Sequence, residues 1–126
     1  MDKEKIYQDA FSTYGIDLQL NMAIEEMAEL TQALSKLIRY RNTASASVEG
    51  MKKGESQYLV GKNIIEEVAD VEIMLEQIKH IFVIDSEVKS IKNKKLERLV
   101  ERIKQDDYKV ERRAKLIEDA MVIEER

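Results

Sequence analysis

Residues 63–82, NIIEEVADVEIMLEQIKHIF, decide the fold class. Ile64, Val68, Val71, Met74, Leu75, Ile78 and Phe82 recur at the three- and four-residue steps that gather side chains on one side of an α-helix. No alternating strand pattern competes with them. Yet Glu67 projects inside the same apolar arc, and Asp70 stands on its border beside Met74 and Ile81. An ionised carboxylate facing a core is costly unless a basic side chain or a cation compensates it. Glu66 turns away from the arc, and with Asn63 as N-cap it would complete a capping box.

Working outward, residues 21–30, NMAIEEMAEL, repeat the acidic phrase on a second amphipathic segment. Leu20, Ala23, Met27, Leu30, Leu34, Leu37 and Ile38 share one side there. Successive residues are offset by about 100°, which puts Glu26 at the edge of that side, between Leu30 and Ala33. Glu29 falls about 60° further out, and Glu25 further still toward solvent. If Glu26, Glu29, Glu67 and Asp70 converge, one arginine cannot neutralise them, whereas a divalent cation can. An all-oxygen, histidine-free set favours Mg²⁺ or Mn²⁺ over zinc. A di-iron bundle would need Glu-x-x-His pairs, and Gln77 stands three residues before the only histidine, His80.

The rest of the chain is also helix-prone. There is no proline and there are four glycines in 126 residues, which predicts an all-α bundle of four to five helices. The expected helices run over about 2–14, ended by Gly15, then 17–40, 63–83, 86–104 with Asp85 or Ser86 as N-cap, and 107–125. The stretch 41–61, RNTASASVEGMKKGESQYLVG, reads as a long loop. A single domain is expected, with a core over about 15–104 and a helical tail over about 105–126. In that tail Val110, Ala114, Ile117 and Met121 form one narrow apolar stripe, suited to packing on a neighbouring subunit.

Composition narrows the function classes. A formal net charge of −4 makes nucleic acid an unexpected partner. No apolar run approaches the span of a bilayer, so no membrane partner is expected. The absence of cysteine excludes disulfides and thiolate chemistry and fits a cytoplasmic protein, and a single histidine argues against a Ser-His-Asp triad. Basic side chains are nonetheless placed in order. Lys95, Arg98 and Arg102 form one stripe, and Lys36 lies two turns beyond Glu29. They read either as a clamp for phosphate oxygens or as a solvated face whose stems snorkel.

The pattern Glu25-Glu26-x-x-Glu29 with Glu67-x-x-Asp70 is carried by EEMAELTQALSK and NIIEEVADVEIMLEQI and followed by KLERLVERI. It resembles the all-α nucleoside triphosphate pyrophosphohydrolases, which take in the MazG proteins, the dimeric dUTPases and the phosphoribosyl-ATP pyrophosphohydrolases. The likeness covers about Gly15 to Ile103. What it implies is the fold of that superfamily and Mg²⁺-dependent hydrolysis of a nucleoside triphosphate to monophosphate and pyrophosphate, for example in clearing non-standard nucleotides. Glu26, Glu29, Glu67 and Asp70 match the metal ligands, and Glu25 matches the first acid of the motif, a supporting group or water activator. A homodimer or homotetramer is expected. The reading from another class is a non-catalytic helical oligomerisation or partner-binding module whose acids bind cations or a basic partner.

Overall fold

Asp2 starts the first helix, and its side chain accepts from the Lys5 backbone N–H at 3.1 Å, supplying a partner that the first turn lacks. In the computed structural model, which describes residues 1–42 and 53–124, α1 spans Lys3–Tyr14 and α2 spans Ile16–Asn42. α3 spans Lys53–Phe82 and α4 spans Asp85–Glu124. Among the described residues there is no strand, so the all-α expectation holds. Gly15 separates α1 from α2 at φ 85° and ψ 160°, a region open essentially to glycine, and its N–H closes on the Phe11 carbonyl.

Three expected boundaries are corrected. α3 begins at Lys53 rather than near residue 63, so the second half of the expected loop is helix; residues 43–52 of that loop lie outside the described residues. Gly61 sits inside this helix at a cost of about 1 kcal/mol relative to alanine, while Val60 beside it is buried and anchors the turn. The two expected helices over 86–104 and 107–125 are one continuous α4. No proline or glycine interrupts it, and Asp106, in the expected break, pairs with Lys109 one turn on at 3.8 Å. Asn63 is interior to α3 and caps nothing; Glu66 instead faces Lys62 at 3.9 Å.

The end of α3 is built against local preference. Ile84 N–H bonds the Lys79 carbonyl at 3.1 Å and Val83 N–H bonds the His80 carbonyl at 3.3 Å, the two hydrogen bonds of a Schellman cap. The left-handed position of that cap, normally glycine, is Val83 at φ 54°. Its β-branched side chain is 81% exposed, so no burial offsets the strain.

The chain divides into two compact units, Met1–Ile84 and Asp85–Arg126. In the first, α1, α2 and α3 pack on one another, with the most extensive contact between α2 and α3. Its buried apolar residues are Tyr7 and Phe11 of α1, Ala23 and Ala33 of α2, and Val60 and Met74 of α3. The two alanines let the α2 and α3 backbones approach closely. Tyr7 donates its hydroxyl to Glu76, which also faces Lys3 at 4.0 Å, tying α1 to α3.

The buried line of α2 is rotated from the expected one. Gln19, Ala23 and Ala33 are buried and Leu20, Leu30 and Leu37 half-buried, while Met27, Leu34 and Ile38 are exposed. On α3, Ile64, Val71, Met74 and Ile78 keep their expected inward positions, whereas Val68, Leu75 and Phe82 are exposed. The apolar arcs are wider than the contact between two slim helices, so their edges stay outside it. The second unit is α4, whose Leu96, Leu99, Val100, Ile103, Val110, Ile117 and Met121 are exposed.

Candidate functional site

Rotating the α2 line toward Gln19, Ala23 and Ala33 moves Glu26 from the edge of the buried face into it, because residues 19, 23, 26, 30 and 33 follow the helical step. Glu67 takes the equivalent place on α3, between half-buried Ile64 and Val71. The two acidic phrases therefore meet across the α2–α3 contact. One carboxylate oxygen from each of Glu26, Glu67 and Asp70 lies within 4.8 Å of the other two. Three of the four acids expected to converge do so in this group.

Glu29, the fourth, is exposed and lies outside the three-acid group, but its charge acts on both Glu26 and Glu67. Burial, first, and then the charges of Asp70, Glu29 and Glu67 push the Glu26 carboxyl above the usual carboxylate range. Glu67 is pushed up in the same direction, by burial first and then by Glu29 and Asp70, with a smaller contribution from Glu66. Glu26 Oε2 and Glu67 Oε2 are buried and make no hydrogen bond. Two orphaned carboxylate oxygens beside a third acid fit a divalent cation, which satisfies lone pairs and cancels repulsion together.

The other expected site residues are not members of the three-acid group. Glu25 is exposed, one residue before Glu26 and outside the three-acid group. Lys36 is exposed on α2, about 10 Å along the helix axis from Glu29. Lys95, Arg98 and Arg102 are exposed on α4, in the second unit.

Glu26 and Asp70 open onto a cleft of about 520 Å³ lined by α1, α2 and α3. Glu26 and Asp70 line it together with apolar side chains that include Leu18, Met22, Ile73 and Met74, and Tyr14 comes from α1. Two residues that sequence reasoning missed also line it, Gln19 and Gln77, which are 3% and 8% exposed. Gln19 Nε2 reaches only the Met22 sulfur, at 3.7 Å, and Gln77 Oε1 has no partner. A signal for them existed: Gln19 is seven residues before Glu26 and Gln77 seven after Asp70, each two turns along the inward face.

No family model, curated protein or solved structure matches this chain.

Proposed function

We propose that this protein is a Mg²⁺-dependent nucleoside triphosphate pyrophosphohydrolase, with Mn²⁺ able to replace Mg²⁺. The observation that carries the reading is the convergence of Glu26, Glu67 and Asp70 within 4.8 Å, with two of their buried oxygens unpartnered. Acid spacing on two helices, and its likeness to the all-α pyrophosphohydrolases, supports the same assignment. Helical acids that only solvate a surface have no reason to turn inward and face one another.

Glu26, Glu67 and Asp70 would hold the cation, and Glu29, whose charge acts on Glu26 and Glu67, is proposed to complete the set. When bound, the cation neutralises phosphate oxyanion charge and polarises the phosphoryl group. The chain's own residues do the remainder, which in phosphoryl transfer is chiefly positioning and charge neutralisation. The oxygen of water bonds to phosphorus, the anhydride P–O bond between the α- and β-phosphates breaks, and the water proton passes to a carboxylate. Glu25, exposed beside Glu26, is the proposed proton acceptor. Lys36, on the same helix as Glu26, is proposed to bind the phosphate chain through its ammonium charge. We place the enzyme in the cytoplasm as a homodimer or homotetramer; the exposed Val110, Ile117 and Met121 on α4 support self-association.

The test is pyrophosphate release from a panel of nucleoside triphosphates with Mg²⁺, Mn²⁺ or chelator. Metal-dependent formation of monophosphate and pyrophosphate is expected, abolished in Glu67→Gln with the helical signal retained. Absence of turnover across the panel, with metal still bound, would instead identify a cation-dependent helical oligomerisation module.

A further inference from the structure

The cleft beside the acids contains a polar end that the hydrolytic reading leaves unused. Gln77 is nine-tenths buried, its Oε1 has no hydrogen-bond partner, and it lines the same cleft as Glu26 and Asp70. A buried carboxamide atom without a partner costs about 1–3 kcal/mol. Gln19 adds a second buried carboxamide whose N–H₂ meets only a sulfur, a weak acceptor. Neither glutamine is placed by a network of the protein's own groups. Gln77 lacks a donor for its oxygen, and Gln19 has only a weak acceptor for its amide.

Along each helix the glutamines lie seven residues from an acid, about 10 Å at the helical rise. The walls between the two ends are apolar, with Met22, Ile73 and Met74, and Tyr14 supplies an aromatic ring. Phosphates gathered at the acidic end would leave a flat ring two turns away among methionines. Methionine adapts its shape to such rings, and a carboxamide reads the hydrogen-bonding edge of a base in the way that Asn and Gln read adenine.

We propose that Gln19 and Gln77 form a nucleobase subsite, so that the ligand of this cleft is a nucleotide rather than an inorganic or sugar polyphosphate. The proposal rests on the nucleotide reading given above, and it names the part of the ligand that the acids do not touch. The carboxamides hydrogen-bond the base edge while the acidic end handles the phosphates.

The experiment follows the side-chain amide signals of Gln19 and Gln77 by NMR in the full-length ¹⁵N-labelled chain. Uridine, uridine 5′-monophosphate and adenosine 5′-monophosphate are titrated against ribose 5-phosphate and tripolyphosphate, with and without Mg²⁺. The base-bearing ligands should move the two amides, and the base-free ligands should not. Gln77→Leu should weaken nucleotide binding on the order of tenfold relative to tripolyphosphate, the equivalent of one buried hydrogen bond. Tripolyphosphate binding with Mg²⁺, together with amides indifferent to every base, overturns this proposal and spares the acidic site. Amides that respond to uridine, with no Mg²⁺-dependent phosphate binding, uphold the base subsite and remove the hydrolytic reading. The wild-type titration decides the matter even if Gln77→Leu folds poorly.

Discussion

Replacing Glu67 by glutamine should change thermal stability in opposite directions with and without metal. Without metal, burial and neighbouring acids hold the Glu26 and Glu67 carboxyls above their usual range. Between the ordinary and the raised values the folded chain then binds more protons than the unfolded chain. Stability is therefore fully present below the ordinary carboxylate pKa and is lost as pH rises through the raised values. Glu67→Gln removes one charge from this group, so in chelator at neutral pH the variant should melt above the wild type. Metal reverses the order. At a hundredfold excess of free ion over Kd, binding to the folded state alone adds about 2.7 kcal/mol, or about 10 °C for a chain of this length. If loss of one of the three converging carboxylates weakens affinity about a hundredfold, the same ion concentration adds only about 0.4 kcal/mol, or roughly 1–2 °C. The metal-induced gain should also shrink toward acid pH, because protons compete for the same oxygens. Melts followed by circular dichroism with Mg²⁺, Mn²⁺ and chelator across the mildly acidic to neutral range read all three effects. A wild-type melting temperature that ignores both ions at neutral pH, with Glu67→Gln no more stable in chelator, refutes the convergent site.

Two further outcomes concern the scaffold. Val83→Gly should raise stability by about 1 kcal/mol in chemical denaturation, since glycine relieves the φ of 54° and an 81% exposed side chain has little burial to lose; an unchanged or lower midpoint would show that the cap is unstrained. Glu66→Gln should shift stability by no more than about 0.5 kcal/mol, because Glu66 makes a solvent-exposed pair with Lys62 rather than a helix cap. A loss of 1 kcal/mol or more would restore the capping role.

Much of this protein is legible in one dimension. The three- and four-residue recurrence of Ile64, Val71, Met74 and Ile78, and the absence of proline, determine helix and exclude strand, because helical periodicity is a local property of the chain. Glu67 on the inward arc is legible for the same reason. Helix ends are less so. The start at Lys53 and the unbroken α4 depend on weak local preferences among residues that tolerate either state, and no capping residue was strong enough to stop them. Only packing decided which part of each apolar arc is buried, since Ala23 and Ala33 select the close approach of α2 to α3 and rotate the contact away from Met27, Leu34 and Ile38. That rotation brings Glu26 inward to Glu67 and Asp70, and it carries Gln19 and Gln77 into the same cleft. A sequence records which residues share a face of one helix. Which face meets its neighbour is a property of two helices together, and the site exists only where they meet.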